Sequence, residues 1–316
     1  ALPILGGRIN TVMQACFFAL AGVLPADAAM AELRNAIEHS YGARGDIVVA
    51  RNLAAVDQAV SNMHRVPVGA GTDSTRHRRR AVSIDAPDFV RRVTARMLAG
   101  EGDLLPVSAL PPDGIFPTAT SQWEKRTIAS EIPIWEPELC IDCGKCAIVC
   151  PHAAIRLKVY APEALQGADP SFPSKDFRSK DVPGMRLSVQ VAPDDCTGCG
   201  VCVSTCPAHD KSSVKRKSIN MQPIADHLER ERTRWASFLD VESADPAMWD
   251  PASVKTSQLR RPLFEFSGAC AGCGETPYLK LLTQLFGDHM LVANATGCSS
   301  IYGGNLPTTQ IGRAHV

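Results

Sequence analysis

Two stretches of this chain, Cys140-Ile-Asp-Cys143-Gly-Lys-Cys146-Ala-Ile-Val-Cys150-Pro151 and Cys196-Thr-Gly-Cys199-Gly-Val-Cys202-Val-Ser-Thr-Cys206-Pro207, repeat one C-x2-C-x2-C-x3-C-P pattern. Three cysteines on so tight a loop hold three corners of a [4Fe–4S] cube, while the fourth, on the turn beyond, points to a second cube. The repeat therefore predicts two clusters with exchanged fourth ligands. Cys140, Cys143, Cys146 and Cys206 are assigned to one, and Cys196, Cys199, Cys202 and Cys150 to the other. The rival is a pair of zinc knuckles, because C-x2-C serves both chemistries. A third cysteine two residues further on, followed by Cys-Pro, argues for iron–sulfur and electron transfer.

A chain of 316 residues, 45% of them apolar, can bury a core, and its cysteine-rich middle suggests two or three modules. Lys plus Arg and Asp plus Glu balance at 33 each, so charge gives no argument for a nucleic acid or an anionic membrane as partner. The basic run Arg76-His77-Arg78-Arg79-Arg80 lacks interleaved aromatics and reads as a solvated loop. Twelve cysteines in a long chain without a cleavable signal are not a secreted disulfide framework, and thiolates that hold iron need reducing surroundings. The cytoplasm is the expected location. The most apolar stretch, Val12 to Leu24, is too short to span a bilayer and is expected to be a buried helix.

Both ends read as cut, for there is no initiator Met and the chain stops soon after Gly303-Gly304. Ile311-Gly-Arg-Ala-His-Val316 can be written in codons that spell a common sequencing-adapter start, so residues 311–316 are expected to be a read-through artefact.

Met30, Leu33, Ile37 and Tyr41 follow a helical stripe after Pro25-Ala26-Asp27, with Gly42 as a stop, and Val49, Leu53, Val56 and Val60 repeat it from Asp46. With the preceding helix these make residues 1–66 the back part of an α/β domain. Pro, Gly, Arg and Ser clusters mark residues 67–133 as linker, broken by one helix from Pro87 to Leu98. Residues 134–221 form a ferredoxin-like module in which Ala153-Ile155-Leu157-Val159 and Leu187-Val189-Val191 alternate as strands, separated by an insertion loop from Ala161 to Pro183. A connector, 222–262, carries a charged helix from His227 to Phe238.

The last segment, 263–310, contains Cys270-Ala-Gly-Cys273-Gly-Glu275 and, after a strand-like Met290 to Asn294, Thr296-Gly297-Cys298-Ser299-Ser300. Three cysteines are a partial metal site whose fourth ligand is missing. Cys16, the one cysteine left over, sits in an apolar helix and reads as core. Spacing alone leaves iron–sulfur and zinc open for this third set.

Taken in order, Ile9-Asn10-Thr11, Gln122-Trp-Glu-Lys-Arg126, Cys150-Pro-His-Ala-Ala-Ile155, Val191-Ala-Pro-Asp-Asp-Cys-Thr-Gly-Cys199, Cys270-Ala-Gly-Cys-Gly-Glu275 and Asn294-Ala-Thr-Gly-Cys-Ser-Ser-Ile-Tyr302 carry a resemblance. From Ile4 through Thr309 the chain resembles an internal fragment of the single-polypeptide bacterial pyruvate:ferredoxin (flavodoxin) oxidoreductases. The resemblance implies a multidomain α/β and α+β protein, ending here in the start of a thiamine-diphosphate-binding α/β domain. It implies decarboxylation of pyruvate on thiamine diphosphate with Mg, three [4Fe–4S] clusters, transfer of the acetyl group to coenzyme A, ferredoxin or flavodoxin as electron acceptor, and a homodimer. Cys270, Cys273 and Cys298 then look like three ligands of a cluster proximal to the thiamine cofactor. Glu275, Thr296, Gly297, Cys298 and Ser299 look like contacts of that cofactor, and Asn10 and Asn52 like contacts of coenzyme A. Lacking the substrate domain and the Gly-Asp-Gly segment of the family, the fragment itself is expected to be inactive. Another 2-oxo acid as substrate, a stand-alone polyferredoxin-type carrier and a zinc-bearing interaction module are the alternatives.

Overall fold

The helical spacing near the start of the chain is realised as α1 (Asn10–Ala21), α2 (Ala26–Tyr41) and α3 (Asp46–Ser61). The computed structural model describes residues 9–69, 80–179, 182–293 and 297–303, and divides between His77 and Arg78 into two units. In the first unit Ala15 of α1, Leu33 and Ile37 of α2, and Val56 and Ala59 of α3 form one core. The stripes of α2 and α3 thus pack on α1, which supplies the apolar partner that a helical hairpin requires. Among the described residues this unit has no strand, and the α/β reading of residues 1–66 finds only its helical part there.

The expectation of a buried helix over Val12 to Leu24 needs correction. Only Thr11 and Ala15 of α1 are buried, while Met13, Phe17 and Leu20 stand 58%, 57% and 72% exposed. Hydropathy without a polar face predicts burial only where a second neighbour covers the helix, and α2 and α3 reach one side alone. No helix among the described residues is long and apolar enough to cross a membrane.

In the second unit, residues 80–130 do more than link. Val82, Ala86 and Val90 make a small core with Trp123 against it, and the expected helix appears as a π-helical turn, Val90–Thr94, running into α4 (Ala95–Leu98). The basic run lies outside the described residues except for Arg80, which is exposed.

The ferredoxin-like module is bounded by β1 (Glu131–Trp135) and β5 (Ile219–Pro223), paired antiparallel with Glu131 opposite Pro223. Between them β2 (Ile155–Tyr160) pairs with β4 (Arg186–Val191), Ile155 opposite Val191. The insertion loop contributes β3 (Lys175–Asp176) to the free edge of β4. Each cysteine run contains one short helix, α5 (Lys145–Ile148) or α6 (Val201–Thr205). Helix α7 (Ile224–Asp240) leaves β5 directly and buries Trp235 and Phe238 in the same core as Leu157, Val159, Leu187 and Val189.

Beyond α8 (Val254–Ser257) the chain forms α9 (Thr276–Phe286) and α10 (Cys298–Gly303). Helix α9 is inverted: it buries Thr276, Lys280, Thr283 and Gln284 and exposes Tyr278, Leu282 and Phe286. Hydrogen bonds make the polar face tolerable, with Gln284 donating to the Arg260 carbonyl at 2.7 Å and Phe264 N donating to Thr283 Oγ1 at 3.1 Å. The strand expected from Met290 is absent as far as Ala293, Asn294 lying outside the described residues. Leu291 makes only an isolated bridge and is 79% exposed, for no strand runs alongside it among the described residues.

Candidate metal centres

Corresponding positions of the two cysteine runs share one backbone conformation. Asp142 and Gly198, two residues after the first cysteine of each run, have φ of 62° and 68°, and Gly144 and Gly200 have φ of 70° and 73°. The left-handed residue turns its own N–H onto sulfur: Asp142 N donates to Cys140 Sγ and Gly198 N to Cys196 Sγ, both at 3.4 Å. Glycine satisfies this torsion freely. Asp142, 1% exposed, is secured instead by its carboxylate, which accepts from Lys175 Nζ at 2.6 Å and from Arg178 N at 3.0 Å.

These loops enclose two cavities. One is lined by Cys140, Cys143, Cys146 and Cys206 with Trp135, Leu157 and Val189. The other is lined by Cys150, Cys196, Cys199 and Cys202 with Pro133, His152 and Met221. Each therefore gathers three thiols of one run and the fourth of the other. The electrostatics follow the same grouping. Burial, then repulsion from Cys140, Cys202, Cys143 and Cys206, pushes the Cys146 thiol well above its ordinary range. Burial pushes Cys196 up to about 12 against the pull of the Gly198 N–H, with Cys150 and Cys199 adding to the rise. Burial raises Cys202 too, followed by Cys150, Cys196 and Cys199. The pair Cys146 and Cys202 belongs to different quartets, so the two groups adjoin there.

Thiols crowded in apolar surroundings become thiolates only when cations compensate them. Four soft donors around a small void, with a backbone N–H on sulfur, fit a [4Fe–4S] cube. Among the described residues no three His, Cys, Asp or Glu side chains close on one point as ligands of a single ion. The thiols ring a void instead, as the corners of a cube require.

The segment 120–127 fastens this module to the bend at Phe266 and Ser267. Lys125 Nζ donates to Asp195 at 2.6 Å, and Arg126 to the Ser267 carbonyl at 2.9 Å. Asp194 accepts both Nε and Nη2 of Arg232, at 2.8 and 2.6 Å, and the Thr127 hydroxyl at 2.5 Å. The two aspartates before the second run are thus both held by the 125–127 segment, and Asp194 also by α7, which fixes the loop bearing Cys196. Burial nevertheless pushes Asp195 up to about 6, Lys125 opposing the rise.

The third cysteine set stands beside the second cavity. A Cβ on Gly272 would lie 3.8 Å from the Cys199 Cβ and 3.7 Å from Val201. His152, 2% exposed, ties the two regions: its Nδ1 donates to the Ser267 carbonyl at 3.0 Å and its carbonyl accepts from Phe266 N at 2.9 Å. Its Nε2 is buried toward the Cys270 backbone without closing a hydrogen bond, and burial lowers the imidazole pKa. Cys273 lies beside the first turn of α9. Burial pushes its thiol up, but the backbone N–H groups of Thr276 and Glu275 outweigh that and hold it below its ordinary value. Tyr302 of α10 donates to Glu275 Oε1 at 3.1 Å, and burial followed by that contact pushes the phenol up to about 12, with Cys273 and Cys298 both adding to the rise. Glu275, Cys273 and Cys298 therefore share one neighbourhood. Cys270 and Cys298 are exposed, Gly297 has φ 155°, and Thr296 lies outside the described residues.

In the other unit Asn10 is exposed at the start of α1. Asn52 is buried, accepts from the Thr11 hydroxyl at 2.9 Å and donates to the Val48 carbonyl at 2.9 Å. Cys16 is half-buried, its thiol on the Ala59 carbonyl at 3.8 Å. The motif reading missed His152 and Lys280, which no spacing marks. A lysine in the buried stripe of α9 would have been the one available signal.

Residues 139–209 match a family model described as a 4Fe-4S dicluster domain, and residues 75–129 match one described as a domain of unknown function, EKR. Along 96% of its length the chain is 53% identical to a pyruvate-flavodoxin oxidoreductase of Nostoc and 45% identical to a pyruvate:ferredoxin oxidoreductase of Moorella thermoacetica. It spans about a quarter of the length of each, 26% and 25%. Over 95% of its length it is 44% identical to a mitochondrial pyruvate dehydrogenase [NADP(+)] of Euglena gracilis, covering 16% of that protein. The chain as a whole is thus homologous to a segment of the pyruvate-flavodoxin oxidoreductases.

Proposed function

We propose that this segment is the electron outlet of a polypeptide that oxidises pyruvate to acetyl-coenzyme A and CO2 and delivers the electrons to flavodoxin or ferredoxin. The observation that carries the reading is the gathering of eight thiols into two crossed quartets, with the loop of a third cysteine set laid against Cys199. When bound, thiamine diphosphate would supply the electron sink that decarboxylation of a 2-oxo acid needs, and the clusters would supply one-electron carriers.

This chain's residues set the order of the sites. Cys270, Cys273 and Cys298 hold the innermost metal site together with a fourth ligand that they do not supply. Cys150, Cys196, Cys199 and Cys202 form the next, and Cys140, Cys143, Cys146 and Cys206 the outermost. His152 and Arg126 keep the strap from Phe266 to Cys270 in register with the second site. Glu275, hydrogen-bonded by Tyr302, would contact the thiamine cofactor, and so would Gly297, Cys298 and Ser299; Thr296 is assigned to the same contact by the resemblance. On the helical unit Asn10 is the residue free to meet coenzyme A, whereas both polar atoms of the Asn52 side chain are engaged inside the unit. The acceptor is flavodoxin or ferredoxin by the names of the relatives, the working particle a homodimer and the location cytoplasmic.

Cys199→Ser in the intact polypeptide tests the reading. Release of CO2 from pyruvate with an artificial acceptor should persist, while reduction of flavodoxin falls at least tenfold. Unchanged flavodoxin reduction would refute the assignment of Cys199 to the outlet.

A further inference from the structure

Lys280 is 2% exposed, on the buried face of α9. Its Nζ donates to the carbonyl of Ala147, to that of Ile148 at 3.1 Å and to that of Cys150 at 3.2 Å. These three acceptors use all three protons of an ammonium. They lie at the C-terminal end of α5 and on the Cys-Pro turn, between the third thiol of one quartet, Cys146, and the thiol handed to the other, Cys150.

No carboxylate pairs with Lys280 among the described residues, its partners being the three carbonyls alone. A buried cation without an anion is costly, and helix carbonyls alone offset only part of that cost. Its acceptors bracket the two cysteines assigned to different quartets, the Ala147 carbonyl directly after Cys146 and the carbonyl of Cys150 itself. A cube held by four thiolates is anionic overall and gains one further negative charge on reduction, so it is the missing counter-ion.

We infer that Lys280 is a positioning residue for electron transfer, a fixed positive charge lodged between the two cysteine quartets that raises the reduction potential of both sites and thereby couples α9 of the third segment to the outlet. The inverted amphipathicity of α9 follows from this role. Its polar face must turn inward to carry the ammonium to the Cys-Pro turn, and Thr283 and Gln284 complete that face.

The inference rests on the reading of both quartets as [4Fe–4S] sites, and the two can fail separately. The intact polypeptide would be loaded anaerobically with iron and sulfide and titrated electrochemically, with the paramagnetic signals of the reduced sites as readout. Lys280→Gln and Lys280→Met should load fully and require a lower potential for reduction. At a fixed potential the reduced-to-oxidised ratio should fall about tenfold or more, equivalent to ~59 mV for a one-electron site. Lys280→Arg should restore the ratio to within about threefold of wild type. Unchanged potentials in loaded Gln and Met variants would overturn the inference, and so would failure of all three variants to load, which would make Lys280 a packing residue. Loading of the Arg variant alone would overturn it too, making the charge a requirement of cluster assembly and not a determinant of potential. A wild-type protein that binds zinc and stays colourless would reject the cluster reading itself.

Discussion

Asp142 holds Lys175 at 2.6 Å while standing at φ 62°, in the place that Gly198 takes in the second cysteine run. The two runs solve one torsional problem differently, the second by omitting a side chain and the first by anchoring one. Asp142→Ala keeps the strained torsion and strips Lys175, whose side chain is only 14% exposed, of its partner. The cost should be about 3–5 kcal/mol, and Asp142→Asn should recover part of it. Melting temperature and iron bound per chain measure both.

Gly198 and Gly200 separate torsion from space. Both need left-handed backbone, but a Cβ on Gly198 would meet the Glu131 carbonyl at 3.1 Å and Ala129 Cβ at 3.3 Å, whereas one on Gly200 meets nothing within 4 Å. Gly200→Ala should cost about 1–2 kcal/mol and Gly198→Ala at least about 1 kcal/mol more. Urea midpoints of the loaded protein compare them, and equal losses would mean that the β1 edge yields.

Asn10 and Asn52 should part company. Asn52→Ala leaves the buried Thr11 hydroxyl unpaired and should destabilise the helical unit by about 1–3 kcal/mol. Asn10→Ala should leave the melting temperature unchanged and weaken coenzyme A binding in calorimetry. A loss of coenzyme A affinity confined to the Asn52 variant, with no loss of stability, would reverse the two roles.

Lys158 gives stability a dependence on alkaline pH. Its Nζ donates to the Leu239 and Val241 carbonyls at 3.0 and 2.7 Å. Burial, then repulsion from Arg156, pushes it down to about 8 from 10.5. Between these two values the unfolded chain binds more protons than the native one, so this group makes stability rise with pH across the window. Lys158→Met should flatten the rise, as denaturation midpoints at pH 7.5, 9 and 10 would show.

The parts readable in the sequence were those with a short repeat. Cysteine spacing grouped the eight thiols in the way the two cavities gather them, and period-two alternation identified β2 and β4, whose ends fall at Ile155 and Val191. The helices at Ala26–Tyr41 and Asp46–Ser61 followed from their stripes and stop signals. What escaped depends on distant partners. Lys280 meets carbonyls 130 to 133 positions away and His152 meets Ser267, and neither contact has a local signature. Burial of α1 was overread because hydropathy reports what a face could bury, not whether a neighbour arrives. The strand expected at Met290 is absent as far as Ala293 for the same reason, no strand running alongside among the described residues.

The pairing of Glu131 with Pro223 places the entrance and exit of the iron–sulfur module side by side. A host chain interrupted there needs to bridge only the width of two strands, about 5 Å, to continue. The module is therefore one closed loop of chain, its two ends tied to each other by the β1–β5 ladder, so that a displacement of either end is passed directly to the other.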